Sequence, residues 1–157
     1  MTCDLRRERI TISQNFGKYW LPVILWMSFI FWFSTETFSA ENTSFLVEKI
    51  LPFLIPGISS EEAAWIHTFI RKAGHVTEYF ILGLLAFRAL RGGSTASWNW
   101  RWSFFSLIVV MLWAAIDEFH QSFVPTRSAS PVDVGIDITG GILAQFVIAL
   151  CYRYRKK

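Results

Sequence analysis

Polar and ionisable side chains gather at one end of each of three apolar stretches in this chain of 157 residues. In chain order they are Lys72, His75, Glu78 and Tyr79, then Asp117, Glu118, His120 and Gln121, and finally Asp133 and Asp137. A histidine beside a carboxylate can act as a general base or a nucleophile, because the carboxylate fixes the imidazole tautomer. Arg127 lies between the last two groups, and arginine binds phosphate or carboxylate in bidentate fashion. These residue types predict an acid–base or anion-binding site.

Helical spacing places the members of each group on one side of a helix. Residues three or four positions apart are neighbours on a helix surface. Asp117, His120 and Gln121 follow that spacing, as do Asp133 and Asp137. At roughly 1.5 Å per residue, Asp137 is expected about 6 Å further along its helix than Asp133. We expect Glu118, next to Asp117, to point toward water.

Three sets of roles follow from these residue types. The candidate catalytic residues are His75, Glu78, Asp117 and His120. The candidate substrate-binding residues are Lys72, Tyr79, Gln121 and Arg127. Neighbouring carboxylates need shared protons, basic partners or a cation, so Asp117, Asp133 and Asp137 are candidate ligands of a divalent cation, and their oxygen ligands favour hard ions.

The composition indicates a membrane protein. The chain is 53% hydrophobic and 17% charged, whereas soluble domains average about 25% charged residues. Cys3 and Cys151 lie near opposite ends and predict neither a disulfide framework nor a C-x-x-C metal motif. No H-E-x-x-H, G-x-S-x-G or P-loop motif occurs, so protease, serine-hydrolase and NTPase functions lack support. No nucleic-acid partner is predicted.

Four stretches approach the length of about 20 apolar residues that crosses a membrane as a helix. They are residues 16–33, 75–90, 102–118 and 133–152. The sequence therefore predicts an all-α, polytopic bundle of four transmembrane helices in a single domain, residues 1–157. A cleaved signal peptide is the alternative for the first stretch, but Phe38 stands where such a cleavage site needs a small residue. We favour an uncleaved anchor.

Loop charges predict the orientation of these spans. One side of the membrane receives eleven of the 15 basic residues, which are Arg6, Arg7, Arg9, Lys18, Arg88, Arg91, Arg101, Arg153, Arg155, Lys156 and Lys157. Only Asp4 and Glu8 oppose them there. The positive-inside rule then puts both termini in the cytoplasm. The polar groups around His75, Asp117 and Asp133 therefore face outward.

The long outer connection, residues 35–71, is predicted to have structure of its own. Apolar residues recur at helical spacing between Phe45 and Leu54, which favours an interfacial or re-entrant segment broken by Pro52 and Pro56. A passive cover over the bundle is the alternative. Ser59 and Glu62 fit a capping box, so a helix is expected to begin there and run into the second span.

Two segments resemble the VanZ-like family of small bacterial membrane proteins. They are "RKAGHVTEYFILG" (71–83) and "AAIDEFHQSFVPTRSASPVDVGIDITGG" (114–141), and the likeness covers nearly the whole chain. Ser34, Thr35 and Ser39 after the first span also fit, whereas Thr126 stands where these proteins often carry Gly. The resemblance implies an integral protein of the bacterial cytoplasmic membrane. The family's namesake is linked to resistance to the glycopeptide teicoplanin, and the resemblance supplies no established reaction.

Three functions remain open at this point. The first is binding, with hydrolysis or transfer, of a membrane lipid or a lipid-linked cell-wall precursor at the outer leaflet, with His75 and Asp117 as the catalytic pair or as metal ligands. The second is a non-catalytic binder that confers glycopeptide tolerance by shielding a precursor or the drug. The third is a structural role, in which the polar groups hold the helices together.

Overall fold

The computed structural model describes residues 2–35, 47, 49–94, 98–124 and 130–154, with backbone only for residues 2–15. Its four long helices are α1 (Thr2–Phe33), α2 (Ser60–Arg91), α3 (Trp100–Gln121) and α4 (Pro131–Tyr154). No strand occurs in the described ranges, which confirms the predicted all-α class. Arg127 lies outside the described residues.

Three of the four helices are long and apolar enough to cross a membrane. The qualifying segments are Phe16–Phe33 in α1, Trp100–Gln121 and Pro131–Tyr154. Large apolar side chains such as Leu25, Leu112 and Phe146 are more than half exposed on these helices, as expected where a helix faces lipid. The protein is therefore a multi-pass membrane protein.

Helix α2 begins where the sequence predicts. The Ser59 hydroxyl accepts a hydrogen bond from the Glu62 backbone N–H, and the Glu62 carboxylate accepts one from the Ser59 N–H at 2.9 Å. This capping box satisfies backbone donors that have no partner inside the helix. From there α2 runs for 32 residues without a break, and the second predicted span, residues 75–90, forms its second half.

Two described helical segments continue through a proline. Helix α1 contains Pro22 in its interior. Pro52 was expected to break the outer segment, but residues 49–54 are helical through it and end before Pro56. In a membrane helix, neighbouring groups and local adjustment compensate for the backbone donor that proline lacks.

Small residues let α2, α3 and α4 approach closely. A Cβ atom added to Gly140 would lie 2.3 Å from the Val76 carbonyl oxygen of α2. One added to Gly141 would lie 2.7 Å from Val110 of α3, and one added to Gly83 would lie 2.9 Å from Ala144. These glycines therefore serve helix packing, in line with the general use of small residues at membrane helix interfaces.

A buried polar clamp joins the same three helices. The Ser106 hydroxyl donates to the Gly83 carbonyl at 2.9 Å, and the Gln145 amide donates to the Ser106 hydroxyl at 3.1 Å. Helix α2 contacts α1, α3 and α4 more extensively than any other described helix contacts its neighbours, so it is the central element of the bundle. Its position fixes where the polar groups of the other helices meet.

Candidate functional site

The acidic end of the bundle is the end that carries Asp117, Asp133 and Asp137. Its polar groups include an imidazole–carboxylate pair between α2 and α4. His75 Nδ1 lies 3.4 Å from Asp137 Oδ1, and the two side chains are 25% and 2% exposed. The close packing of Gly140 against Val76 explains the pair, because Asp137 is one turn from Gly140 and His75 is next to Val76. The carboxylate beside His75 is thus Asp137, whereas the residue types and spacing predict Asp117 in that pair.

Asp117 instead forms a network between α3 and the end of α1. Its Oδ2 accepts hydrogen bonds from the Ser34 hydroxyl at 2.7 Å and from the Gln121 amide at 2.9 Å. Gln121 also lies 3.3 Å from the Ser34 oxygen, and all three side chains are buried. Ser34 therefore orients a carboxylate 83 positions away in the sequence.

Two buried atoms next to this network are left without a hydrogen bond. They are Asp117 Oδ1 and the Tyr79 hydroxyl, neither of which has a partner among the described residues. Tyr79 is completely buried and its hydroxyl faces the Asp117 carboxylate. An unsatisfied buried polar group costs about 1–3 kcal/mol. A donor on a bound ligand, or a small shift of Tyr79, would supply the missing bond.

Glu118 and His120 lie on other sides of α3. The expectation that Glu118 points toward water is wrong, because it is 8% exposed and its Oε1 accepts a hydrogen bond from the Ser130 N–H. That bond ties the end of α3 to the start of α4. The His120 ring packs on Phe31 of α1, with ring centroids 4.1 Å apart. His120 thus contacts an aromatic side chain and not the His75–Asp137 pair.

Cations lie along the rim of this end. Lys72 is exposed, and Arg71, which sequence reasoning did not place in the site, is half-buried near Asp133. Burial lowers the pKa of the Arg71 guanidinium, and the Asp133 carboxylate opposes that effect. The side chains of Glu78 and Asp133 are partly buried, and the Glu78 carbonyl accepts a hydrogen bond from the Trp26 indole at 2.9 Å.

Within the described part of the chain, no three His, Cys, Asp or Glu side chains form a group that could hold a metal ion. Asp117 is engaged with Ser34 and Gln121, and Asp137 with His75. Asp117, Asp133 and Asp137 therefore do not form such a set in this geometry. A cation bound by these three residues stays a prediction.

Ser34 is the residue of this site with the weakest signal in the amino-acid sequence. A serine after an apolar span is ordinary, and its partner on α3 is distant in the sequence. The only signal was its place in the Ser/Thr-rich stretch of the VanZ-like resemblance. By contrast, His75, Tyr79, Asp117, Gln121 and Asp137 were predicted in the site, and the structure places all five at this end of the bundle.

The chain matches a family model over most of its length. The family model described as VanZ/LLP1 matches residues 19–152, which include every described residue of the site. A search of the curated proteins and a search of the solved structures each find no match. The match covers most of the chain, so this protein belongs to the VanZ-like family.

Proposed function

We propose that the protein crosses the membrane four times, with residues 75–90 of α2 as a span in addition to the three apolar helices, second in chain order. The contacts of α2 with all three apolar helices support this, because a central helix of a membrane bundle lies at the same depth as its neighbours. The positive-inside rule supports cytoplasmic termini and a site that faces outward. Residues 49–54 would then lie along the outer interface.

At that face the protein would bind the anionic head group of a membrane lipid or lipid-linked precursor, and hydrolyse or transfer it. The observation that carries this proposal is the pairing of the partly exposed His75 with the buried Asp137. A carboxylate behind an imidazole fixes its tautomer and stabilises the protonated ring. This is the arrangement of a general base that can take a proton from water or from an acceptor hydroxyl.

The other site residues have complementary roles in this proposal. Asp137 would hold the Nδ1 side of the ring, so the proton would be taken by Nε2. Lys72, Arg71 and Arg127 would engage the anionic group. Asp117 and Tyr79 would bind a polar group of the substrate through the two atoms that lack partners among the described residues. Glu78 and His120 remain predicted site residues, and a divalent cation remains a candidate cofactor.

Lipid turnover by the purified protein tests this function. Wild type, Asp137→Asn and Glu61→Gln would be reconstituted in bacterial lipid extract, with and without Mg²⁺ or Ca²⁺, and products would be followed by mass spectrometry. We expect wild type to form a product. The turnover rate of Asp137→Asn should be lower by a factor of about 10²–10⁴, the usual contribution of general base catalysis. Glu61 is an exposed carboxylate at the same end, so its variant should keep the wild-type rate.

A melting curve on each protein separates catalysis from folding. If Asp137→Asn melts like wild type and keeps full turnover, the general-base role is wrong. If wild type makes no product in any extract, the catalytic proposal is wrong, and binding without chemistry becomes the better account.

A second function has an observation of its own. A cavity of about 530 Å³ lies between the outer segment and the first turns of α2, and Ile55, Pro56, Ile58, Trp65 and Ile66 are among its lining residues. Nearby, Phe53 is 87% exposed. A cavity that is mainly apolar, with Glu62 also in its lining, would suit the acyl chain of a lipidated glycopeptide, as a shielding protein requires.

Surface substitution distinguishes this function from the catalytic one. Phe53→Ser with Trp65→Ser should lower teicoplanin tolerance and leave lipid turnover unchanged if the cavity binds the drug. Asp137→Asn should leave teicoplanin tolerance unchanged and lower lipid turnover. Unchanged teicoplanin tolerance in the double variant would contradict the shielding function.

A further inference from the structure

A second cavity lies at the opposite, basic end of the bundle. It has a volume of about 310 Å³ and is lined by Trp98, Ala149, Tyr152 and Arg153. The lining combines an apolar wall, two amphipathic aromatic rings and one guanidinium group. It lies where α4 ends and α3 begins, far from the His75–Asp137 pair.

A second guanidinium group stacks on one of the residues that line this cavity. Arg91, in the last turn of α2, stacks over the Tyr152 ring with its Cζ 5.7 Å from the ring centroid. Such stacking fixes the guanidinium plane and leaves its edge for hydrogen bonds. Arg91 Nε is buried and has no hydrogen-bond partner among the described residues.

No described carboxylate neutralises these two arginines. The acidic residues with described side chains are Glu61, Glu62, Glu78, Asp117, Glu118, Asp133 and Asp137, all at the other end of the bundle. The nearest of them along α2 is Glu78, which precedes Arg91 by a rise of roughly 20 Å at 1.5 Å per residue. The cavity thus has one guanidinium group in its lining and a second stacked on its lining residue Tyr152, with no counter-charge from the described residues.

We propose that this cavity binds the phosphate head group of an anionic phospholipid, with Arg91 and Arg153 on the phosphate and Tyr152 and Trp98 against the glycerol region. Basic pockets between membrane helices bind such head groups on the cytoplasmic side. Tryptophan is enriched at the level of lipid head groups, and Trp98 is 39% exposed. The apolar Ala149 wall favours a lipid over free phosphate, because free phosphate has no apolar part to cover it.

Lipid retention by the full-length protein tests the site. Protein purified in a neutral detergent would be titrated with phosphatidylglycerol, and the bound lipid counted by native mass spectrometry. Phosphatidylcholine and inorganic phosphate are the comparison ligands. We expect one retained phosphatidylglycerol, weaker retention of phosphatidylcholine, and no displacement by millimolar phosphate. Displacement of the lipid by millimolar phosphate would contradict a site built for lipid.

Single charge removals distinguish this site from general attraction to a basic surface. Arg91→Gln and Arg153→Gln should each weaken phosphatidylglycerol binding about fivefold, the equivalent of about 1 kcal/mol per basic residue. Arg101→Gln is the matched control, because Arg101 lies at the same end but stacks on Trp100 outside the cavity. Equal weakening by Arg101→Gln would overturn the proposal. Arg153 is exposed, so its variant tests the site even if Arg91→Gln folds poorly.

Discussion

At the scale of single residues, two of the buried carboxylates at the acidic end, Asp117 and Asp137, have different kinds of partner. Asp137 is paired with a titratable ring, whereas Asp117 accepts hydrogen bonds from a hydroxyl and an amide. Carboxylates in different surroundings can take different roles in one site. Asp137 is therefore the residue to test for catalysis, and Asp117 the residue to test for positioning and ligand binding.

Ser34 should contribute measurably to stability through Asp117. Ser34→Ala removes a hydrogen bond between α1 and α3 and leaves Asp117 Oδ2 with Gln121 alone. We expect a loss of about 0.6 kcal/mol, the average for hydrogen bonds between membrane helices, with an upper value near 1.7 kcal/mol. Reversible unfolding in detergent or bicelles would measure it. Ser28→Ala is the control, because within the described ranges the Ser28 hydroxyl bonds the Ile24 carbonyl of its own helix, at 2.9 Å. Equal effects of both substitutions would contradict the role of Ser34.

Glu62 should make the start of α2 sensitive to acid. The Ser59 backbone N–H holds the pKa of the Glu62 carboxyl below its usual value of 4.5. A lowered folded-state pKa means that the stabilisation is present above pH 4.5 and is lost as the pH falls through the folded-state value. The melting temperature of Glu62→Gln should therefore be below that of wild type at pH 6 and converge with it near pH 3. A constant difference between pH 6 and pH 3 would contradict this.

At the scale of the helices, the spacing between α2 and α4 determines the geometry of the His75–Asp137 pair. Gly140 allows the Val76 carbonyl to approach so closely that any side chain must push the two helices apart. The same approach brings Asp137 beside His75, one turn away. Packing and site geometry are thus fixed by a single residue that carries no functional group.

Gly140→Ala should destabilise the bundle and separate the pair. Overpacking of this kind costs typically about 1–3 kcal/mol. The matched control is Gly135→Ala in the same helix, where an added Cβ meets nothing within 4 Å. It should be neutral or stabilising by up to about 1 kcal/mol, the helix propensity difference between Gly and Ala. Unfolding curves of both variants test this, and equal stabilities would contradict it.

The helices also show what could be predicted from the sequence. The Ser59–Glu62 capping box is local, so the start of α2 follows from four residues. The close packing of Gly83, Gly140 and Gly141 follows from residue size. Whether Asp137 or Asp117 pairs with His75 depends on the axial position of α4 relative to α2. Local sequence patterns do not determine that position. The continuity of α1 through Pro22 and the burial of Glu118 depend on tertiary contacts in the same way.

At the scale of the whole molecule, the two ends of the bundle differ in charge. The carboxylates of the site lie at one end, and Arg88, Arg91, Arg101 and Arg153 lie at the other. The proposed four-span topology therefore predicts that residues 61 and 93 lie on different sides of the membrane. Both positions are exposed, one before and one after the proposed second span.

Cysteine labelling in intact cells tests that topology. Glu61→Cys and Gly93→Cys would be made separately in a chain with Cys3 and Cys151 replaced by alanine. We expect a membrane-impermeant maleimide to label position 61 in intact cells and position 93 only after permeabilisation. Labelling of both positions in intact cells would show that α2 does not cross. The reverse pattern would invert the proposed orientation.

The separation of charge between the two ends also couples the protein to the membrane voltage. In a cell whose interior is electrically negative, the proposed orientation puts the guanidinium groups at the low-potential side and the carboxylates at the high-potential side. Moving one elementary charge across costs about 2.3 kcal/mol per 100 mV. An energised membrane thus opposes any inverted insertion, and a protonophore added during synthesis should raise the inverted fraction.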